Sequence, residues 1–589
     1  MKVVFIDPKG VWEGLNNGIA SIAASIRDRH EVKVVDFVNR AGNVEKRLQV
    51  ARDADYVGIS IKSFTLDESI MVAKMVKKIN PGAKIVAGGP HVMVDGLNLL
   101  KDNPIFDIGV FGEAEYVFRD ILSGRDPATI NGVIYRKDGN VVQNPANEWI
   151  TNLDELPFPV YDDFDSVNID GHMQKIDNWP LVTSRGCPYT CTYCFRGDML
   201  VLTDSGLIEI RDVVNGMKVL TDRGRWKSVL QTFTRAYSGK MIKINIDGKE
   251  PIIATLNHKI KTLRNEFEMV RADNLKTGDI LTEVLPAVTS AVESGGQIML
   301  FKSSSKEKLL PIMSIEEIEF SGYVYNLEVE DDHTYTVNGI AVSNCNVPTV
   351  IGRKFRTRSG ENIFAELRYA QEKYGSKEFK VLDDNFTLQM DRAKDICHLF
   401  IDESMPMKWT CPNGIRADRL DEELCTLMKQ AGCYSMSIGV ESGDPEVFDK
   451  IKKGEKLEDV ENGIRLAQAA GIKVHGFFII GLIGSTYEAD KRSMEFAKRL
   501  GITASWGILV PYPGTEVWEQ VKNDSNARIH RDWKDGFHIG ARPKPVFDTP
   551  EYTAEERVRA YYYANMTTIK KKDIPRAAKM IIKGLIAGK

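Results

Sequence analysis

The sequence predicts an α/β protein with one all-β segment inserted into it and a helical tail. Short apolar stretches alternate with helical patterns over residues 1–125 and again after residue 345, which is typical of βα units. Residues 194–344 instead contain short strands, turn signals and almost no long helix. The length of 589 residues is about four times the ~150 of one domain and agrees with several domains.

The first region, residues 1–125, is predicted to be a doubly wound parallel sheet. Helical patterns separate its apolar stretches, and alternating strands and helices favour parallel strands. The strand candidates are VVFID (3–7), VKVVDF (32–37), YVGISI (56–61), AKIVAGG (83–89) and IFDIGVFGE (105–113). Residues 126–177 show little periodicity, so we expect a connector between domains.

A second βα series is split in sequence between residues 178–193 and residues 345–522. It supplies six repeats, as an open or partial (β/α)6 barrel requires. The strand candidates are WPLVTS (179–184), EFKVLDD (378–384), MKWTCPN (407–413), YSMSIGVES (434–442), IKVHGFFIIG (472–481) and ASWGILVPYPG (504–514). Residues 523–589 are predicted to be a helical C-terminal region.

The overall charge argues against non-specific binding of nucleic acid. Lys and Arg total 78 against 82 Asp and Glu, a net charge of −4, so no global basic field favours nucleic acid. No apolar stretch approaches the ~20 residues that span a bilayer, and MKVVFIDPKG lacks the features of a signal peptide. We expect a cytoplasmic protein with no nucleic-acid partner.

The cysteines indicate a metal centre. Three of the eight lie close together at Cys187, Cys191 and Cys194, and Cys345 lies far downstream. No His pair has ligand spacing, which disfavours a His-rich zinc site. The other four cysteines fall in apolar helix or strand patterns and are predicted to be packing residues; they are Cys397, Cys411, Cys425 and Cys433.

The ends of the all-β segment carry the residue types that self-splicing needs. Cys194 opens it, Asn344 closes it, and Cys345 follows directly. A thiol at the first position can attack the preceding carbonyl and form a thioester. A second Cys can then capture the acyl group, and a terminal Asn can cyclise and cleave the backbone behind it.

Internal motifs add to this pattern, and the segment resembles an intein. CFRGDMLVLTDSG is similar to the opening block of inteins, and YNLEVEDDHTYTVNGIAVSNC is similar to their two closing blocks. The resemblance implies that Thr255 and His258 polarise the N-terminal scissile amide and that His333 assists Asn cyclisation. Two positions depart from the pattern, since Ser343 stands where most inteins have His and Asn326 where many have Asp. The alternative is a permanent β-rich insertion in which His258 is a packed histidine.

Removing the 151 residues from 194 to 344 would leave 438 residues and create Cys187-x3-Cys191-x2-Cys345. Three thiolates at this spacing can bind three irons of a four-iron cluster. The motif resembles the signature of the radical S-adenosylmethionine (SAM) superfamily, which implies a [4Fe-4S] cluster and S-adenosylmethionine. Cys194 already provides the same spacing in the unspliced chain. The alternative is a structural zinc site, for which no second knuckle supplies a fourth ligand.

The resemblance extends along the rest of this region and implies roles for further residues. Tyr193 holds the position of an aromatic that contacts the adenine. Asp383 and Asp384 end the second strand, where relatives contact the methionine amino group. Glu441 ends the fourth strand, where a carboxylate can bind the ribose hydroxyls. GLIGST (481–486) departs from the GLPGET of many relatives.

The first 125 residues resemble the cobalamin-binding domain of one radical SAM group. The similar features are VGIS ending at Ser60, AGGPH with Gly88 and Gly89, and GEAE with Glu113. Glycines after a strand allow close approach of a bulky nucleotide tail, and GxGxxG is absent, which disfavours a nicotinamide cofactor. Asp7-Pro8-Lys9-Gly10 has no His where DxHxxG domains supply a cobalt ligand. The alternative is a domain that binds nothing and only docks on the core.

These features together predict an intein-containing precursor of a radical SAM enzyme that uses cobalamin for methyl transfer to an unactivated carbon. A cobalamin-free oxidoreductase or rearrangement enzyme and a zinc-stabilised, non-enzymatic module are the alternatives. We expect an organic substrate that the sequence does not identify and an external electron donor such as flavodoxin or ferredoxin. Residues 569–589 carry a net charge of +6, which indicates either contact with a membrane surface or acidic partner or a solvated basic tail.

Overall fold

The computed structural model describes residues 1–10, 14–186, 194–256, 258–264, 267–285, 289–294, 297–302, 306–330, 334–343, 355–451, 453–511, 516–532 and 543–567. The chain divides into two compact units. One contains residues 1–188 and 348–589, and the other contains residues 189–347.

The first sheet has seven strands in the order β2-β1-β3-β4-β5-β6-β7. Strands β1 to β5 are parallel, as predicted. The strands are β1 (Lys2–Asp7), β2 (Glu31–Asp36), β3 (Tyr56–Ser60), β4 (Lys84–Gly88), β5 (Ile108–Val110), β6 (Val133–Lys137) and β7 (Asn140–Gln143). The helices are α1 (Asn17–Ile26), α2 (Val44–Leu48), α3 (Leu66–Ile79), α4 (Pro90–Asp102) and α5 (Ala114–Leu122).

Both faces of this sheet are buried, which explains the continuous apolar sequence of β1. Val3 and Phe5 pack in one core with α1 and α5. Val4 and Ile6 pack in a second core with α3 and α4. Helices therefore cover both faces, and the carboxyl ends of the parallel strands lie together at one edge.

The predicted connector contains structure that periodicity did not reveal. Strands β6 and β7 form an antiparallel hairpin that extends the first sheet. The two residues between them, Asp138 and Gly139, both have positive φ, at 50° and 78°. A two-residue Asp-Gly turn with that backbone favours a tight hairpin, so a local turn signal formed these strands. Short pairs follow, with β8 (Asn168–Ile169) and β9 (His172–Met173).

The next two strands precede the insertion, and they are β10 (Asn178–Leu181) and β11 (Ser184–Arg185). The second unit then follows as an all-β structure, and the residues that the structure describes there contain no α-helix. Its long strands β16 and β23 pair antiparallel along most of their length. The strands are β12 (Phe195–Arg196), β13 (Leu200–Thr203), β14 (Gly206–Glu209), β15 (Lys218–Leu220), β16 (Trp226–Ile246), β17 (Ile252–Thr255), β18 (Lys259–Leu263), β19 (Phe267–Arg271), β20 (Ile280–Leu285), β21 (Thr289–Ser294), β22 (Gln297–Lys302), β23 (Lys306–Val329), β24 (Thr334–Val337) and β25 (Ile340–Ser343).

After the insertion the chain resumes the βα rhythm. The helices are α6 (Gly360–Tyr374), α7 (Met390–Asp402), α8 (Glu422–Gln430), α9 (Pro445–Ile451), α10 (Leu457–Ala469), α11 (Tyr487–Arg499), α12 (Glu516–Asn523) and α13 (Ala554–Thr567). The strands are β26 (Arg356–Thr357), β27 (Glu378–Val381), β28 (Lys408–Ile415), β29 (Cys433–Glu441), β30 (Lys473–Ile480), β31 (Thr503–Ile508), β32 (Arg528–Ile529) and β33 (Phe547–Asp548).

A second sheet of six strands has the order β10-β27-β28-β29-β30-β31, and all five pairings are parallel. The six predicted strands therefore appear in their predicted order. Large side chains fix the sheet against its helices, because Phe379 stacks on Trp409 at 5.7 Å and also contacts Phe400 of α7 edge-on. Only β10 comes from before the insertion.

The C-terminal region, predicted to be helical, is helical only in part, because its described residues include the antiparallel pair β32–β33 before helix α13. Helix α13 packs on β31 and α11, whereas residues 568–589 lie outside the described residues. Among the helices that the structure describes, none has the length and apolar character to cross a membrane.

Candidate functional site

A cavity of about 470 Å³ lies in the first unit, at the carboxyl ends of strands from both sheets. Open α/β sheets bind ligands at this edge. From the first sheet and the loops and helices that follow its strands, it is lined by Asn16, Ser60, Lys62, Gly88, Gly89, Glu113 and Glu115, among others. From the second sheet and its loops it is lined by Val182, Ser184, Arg185, Gly186, Leu382 and Asp384.

Three of the residues predicted to bind cobalamin form one wall of this cavity. Ser60 and Gly88 end adjacent strands and are register partners, and Gly89 follows with a φ of 94°. A Cβ at Gly88 would meet no atom within 4 Å, so any side chain there would enter open space of the cavity. A Cβ at Gly89 would lie 2.8 Å from the Ile61 carbonyl oxygen. The wall therefore fits a bulky ligand that approaches the backbone closely.

A buried ion pair lies beside this wall. Lys62 Nζ is 2.9 Å from Asp7 Oδ1, and Asp7 is only 2% exposed. Burial raises the pKa of Asp7, and the neighbouring Lys62 opposes that rise. Lys62 was not among the residues predicted from the sequence, although its place just after a strand that ends in Ser60 could have suggested it. Lys9 is exposed, and its backbone N–H donates to Glu68 Oε1 at 3.1 Å.

Glu113 lines the cavity, but two arginines from the short strands β11 and β26 bind its carboxylate. Arg356 Nη1 lies 2.7 Å from one oxygen and 2.9 Å from the other, and Arg185 donates at 2.9 Å. Arg185 also donates to Glu115 at 2.7 Å. The Ile150 N–H donates to Glu113 at 2.7 Å. These partners outweigh burial and hold the pKa of Glu113 below its usual range.

The same two arginines lie in the two short strands, β11 and β26, between which the predicted cluster cysteines lie in sequence. We call the segment with these cysteines the cysteine loop and the paired strands its stem. Strands β11 and β26 pair antiparallel, with Arg185 opposite Arg356. The predicted cluster ligands Cys187, Cys191 and Cys345, together with Tyr193, lie outside the described residues. Both ends of the cysteine loop thus start from one short antiparallel ladder. Its two arginines form ion pairs with carboxylates of the first region, residues 1–125.

The two neighbouring aspartates after β27 have different environments. Asp383 is 4% exposed and accepts from Thr183 N–H at 2.6 Å and from the Thr183 and Ser184 hydroxyls at 2.5 Å each. Asp384 lines the cavity. Burial raises the pKa of Asp384, and the charge of Asp383 adds to the rise. The structure brings Asp384 to the cavity wall and uses Asp383 to fix the strand end beside it.

Glu441 ends β29 in the left-handed region, with a φ of 64°, at an irregularity in its pairing with β30. Lys453 Nζ is 3.8 Å from its carboxylate and 2.9 Å from that of Glu455, whose side chain is fully buried. Burial raises the pKa of Glu441. Glu441 is not among the residues that line the cavity described above. A non-glycine residue in this conformation is typical of functional sites.

In the second unit, Thr255 binds the first residue of the insertion. Cys194 N–H donates to Thr255 Oγ1 at 2.9 Å, and Thr255 N–H donates to the Cys194 carbonyl at 2.9 Å. Cys194 is 2% exposed. His258 is fully buried, and burial lowers its pKa to about 3. These three predicted splicing residues therefore lie together.

The closing end of the insertion is described up to Ser343. The Ser343 hydroxyl donates to the Lys259 carbonyl at 3.3 Å. Asn326 is buried and accepts from Tyr335 Oη at 2.6 Å and from Leu327 N–H at 2.8 Å. His333, Asn344 and Cys345 lie outside the described residues, so their predicted roles stay predictions.

Three family models match separate parts of the chain. The B12 binding domain matches residues 1–122, the radical SAM superfamily matches residues 343–497, and the intein splicing domain matches residues 200–344. Among the residues that the structure describes, no group of three or more His, Cys, Asp or Glu could hold a metal ion.

Two curated relatives are methyltransferases by name. An uncharacterized methyltransferase of Pyrococcus horikoshii is 23% identical over 92% of this chain and 84% of its own length. Cytidylyl-2-hydroxyethylphosphonate methyltransferase of Streptomyces wedmorensis is 34% identical, over 29% of this chain and 34% of its own length. The second similarity thus spans about a third of that relative.

A solved structure has a similar fold. It is the radical S-adenosylmethionine methyltransferase TsrM from Kitasatospora setae, with cobalamin and a [4Fe-4S] cluster bound. The TM-score is 0.56 at 13% identity, over 97% of this chain and 91% of that one. At this identity the similarity concerns the fold.

Proposed function

Because this chain is a radical SAM enzyme with a B12-binding domain and an interrupting intein splicing domain, we propose that it is a self-splicing precursor of a methyltransferase. Its cofactors are a [4Fe-4S] cluster, S-adenosylmethionine and cobalamin. The proposed reaction is methyl transfer to an unactivated carbon of an organic substrate. An external donor such as flavodoxin or ferredoxin would supply electrons.

The observation that carries this proposal is the shared cavity. Its walls come from the strand ends of the B12-binding domain and from the strand ends of the radical SAM domain. A methyl carrier on one wall and S-adenosylmethionine on the other would therefore have access to the same space. We propose that the six-stranded parallel sheet forms the predicted partial barrel around the second wall.

The residues that would hold the cofactors follow from this arrangement. Ser60, Gly88 and Gly89 offer a cobalamin ligand close approach to the backbone, and Asp384 offers S-adenosylmethionine a carboxylate. Cys187, Cys191 and Cys345 would supply three thiolates to the cluster. When bound, the cluster and S-adenosylmethionine provide radical chemistry, and cobalamin provides a methyl carrier. The ion pairs of Glu113 and Glu115 hold the stem of the cysteine loop beside the cavity.

Glu441 and Tyr193 have roles that rest on the resemblance. We propose that Glu441 binds the ribose and that Lys453 orients its carboxylate. We also propose that Tyr193 contacts the adenine. Residues 569–589 carry the proposed contact with a membrane surface or acidic partner, which co-sedimentation with anionic liposomes would test against a chain ending at residue 568.

We propose that maturation proceeds through the chain's own side chains. The Cys194 thiol attacks the Tyr193 carbonyl, the peptide nitrogen of Cys194 leaves, and a thioester forms. The Thr255 hydroxyl accepts from that nitrogen in the structure, so it is in place to act on this amide. The Cys345 thiol then takes the acyl group from Cys194, and Asn344 cyclises and releases the insertion. The Cys345 nitrogen freed by that cleavage attacks the thioester carbonyl, which forms the peptide bond and returns the thiol.

Anaerobic expression with iron, sulfide and cobalamin, followed by purification of the spliced protein, tests the enzyme. We expect iron in the stoichiometry of one four-iron cluster, bound cobalamin, and 5′-deoxyadenosine from S-adenosylmethionine under reduction. Zinc without iron would contradict the cluster assignment. Iron without cobalamin would favour the cobalamin-free alternative, and product masses that never gain one methyl group would contradict methyl transfer.

A further inference from the structure

The two ends of the insertion meet at one side chain, His258. Its ring centroid is 3.7 Å from that of Phe195, the residue after Cys194. Its Nε2 is 3.2 Å from the carbonyl oxygen of Ser343, the residue before Asn344. One imidazole therefore contacts the neighbours of both splicing junctions.

Strand pairing explains this position. His258 lies in the turn between β17 and β18. Strand β17 pairs with β12 at Ala254 and Phe195, next to the first junction. Strand β18 pairs with β25 at Ile260 and Val342, next to the last junction. The turn is thus held between the first and last strands of the insertion.

The chemistry of the contact fixes the direction of the hydrogen bond. A carbonyl oxygen only accepts, so His258 Nε2 must carry the proton. The imidazole is fully buried, and its pKa of about 3 makes it neutral at pH 7. The neutral ring is then the tautomer with hydrogen on Nε2.

The contact matters because residue 343 cannot supply an imidazole itself. Ser343 stands where most inteins have His, and its hydroxyl donates to the Lys259 carbonyl. A hydrogen-bond donor from another part of the insertion can restrain the segment around Ser343 in place of that histidine. His258 is that donor in the structure.

We propose that His258 is a positioning residue for the C-terminal junction, in addition to its expected role at the N-terminal one. By donating to the Ser343 carbonyl it fixes the peptide plane before Asn344. The Asn344 side-chain nitrogen can then attack its own main-chain carbonyl, which closes a succinimide and breaks the bond to the Cys345 nitrogen. The leaving nitrogen takes up a proton, and no other reactant is needed. The inference rests on the proposed self-splicing.

A chain with Cys194→Ala isolates the second junction, because no thioester can form at the first. Asn cyclisation in this parent releases residues 345–589, and intact-mass analysis follows the rate. Adding His258→Ala should slow the release by about tenfold or more, the equivalent of one lost hydrogen bond of ~1.4 kcal/mol. Adding His258→Gln should restore part of the rate, because its side-chain amide can donate to the same carbonyl.

Thr262→Ala in the same parent is the matched control. Thr262 lies in β18, is fully buried and donates to the Ile260 carbonyl at 3.0 Å, so its loss removes a buried hydrogen bond away from both junctions and should leave the release rate within about twofold. Release from the His258→Ala chain at the parent rate would overturn the inference while leaving splicing intact. Equal loss in the Ala and Gln variants with a lowered unfolding temperature would show a packing role and also overturn it. A wild type that stays one species, with a parent that releases nothing, would overturn the splicing proposal itself.

Discussion

Arg356 places Nη1 2.7 Å and 2.9 Å from the two carboxylate oxygens of Glu113, although the whole insertion lies between these residues in sequence. The same nitrogen donates to the Ile150 carbonyl at 2.7 Å, and the guanidinium lies over the Trp149 ring at 5.2 Å. Arg356 and Glu113 are both buried. The stem of the cysteine loop is therefore bonded to the B12-binding domain in the chain that still contains the insertion.

Glu113→Gln should destabilise the protein strongly. The change leaves the buried Arg356 without its counter-charge, and breaking a buried pair typically costs about 3–5 kcal/mol. Urea unfolding measures the loss. Glu461→Gln is the control, because its pairs with Arg465 and Arg499 are exposed at the surface and should contribute about 1 kcal/mol or less. Equal effects would contradict a structural role for the stem contact.

The stability of the protein should fall at acid pH partly through Glu113. Its pKa is lower in the folded state than in the unfolded state, so its contribution is present above the unfolded value of ~4.3 and is lost as the pH falls through the folded value. Unfolding free energies at pH 7 and pH 4 should differ less in Glu113→Gln than in the wild type. An unchanged difference would contradict the lowered pKa.

Substitutions at the junctions should separate the steps of splicing. The wild type should yield a 438-residue protein and a free 151-residue fragment, whereas Cys194→Ala should prevent ligation. Asn344→Ala should block ligation and still permit thioester cleavage after Tyr193. Intact-mass analysis distinguishes these products, and a single full-length species in both the wild type and Cys194→Ala would show that the insertion does not splice.

Cobalamin binding should depend on the space beside Gly88. Gly88→Leu should remove measurable binding, since the side chain would enter the cavity without meeting a protein atom near its Cβ. Lys9→Ala should not alter the spectrum, because the Lys9 side chain is exposed and its contact uses the backbone. The spectrum should be that of a base-off corrin. Difference spectroscopy at matched protein concentration measures both variants, and full binding by Gly88→Leu would show that the site lies elsewhere.

The four remaining cysteines should not contribute to the cluster. Cys397, Cys411, Cys425 and Cys433 are buried at 3% exposure or less, and burial raises the pKa of Cys397 to about 12 and of Cys425 to about 11. Such thiols stay protonated at neutral pH and are poor ligands. Their replacement by Ala should leave the iron content unchanged at a cost of about 1 kcal/mol each, whereas Cys187→Ala should remove iron.

Strand order was predictable from sequence because each buried strand is an apolar stretch followed by a turn signal. The six strands of the second sheet could be predicted without knowing which strands they pair with. The hairpin of β6 and β7 was missed because its evidence is the two-residue Asp138-Gly139 turn, whereas the prediction relied on periodicity.

The direction of side chains at strand ends was not predictable in the same way. Sequence placed Asp383 and Asp384 together after a strand, but only one of two adjacent side chains can face a given surface. The structure directs Asp384 to the cavity and Asp383 to Thr183 and Ser184. The role of Glu113 in binding Arg356 depends on a pairing between distant residues, which a single sequence does not reveal.

The meeting of both insertion ends at His258 also affects how the host domain folds. Asn178 of β10 pairs with Glu378 of β27, a sequence separation of 200 positions that the proposed excision would reduce by 151. Each doubling of the length of an unstructured loop adds about 0.6 kcal/mol to the free-energy cost of closing it. Contacts between residues so far apart in sequence also slow folding. A folded insertion with adjacent ends acts as a short link instead. The host sheet can therefore close across the insertion at nearly the entropic cost of the ligated chain, provided that the insertion folds first.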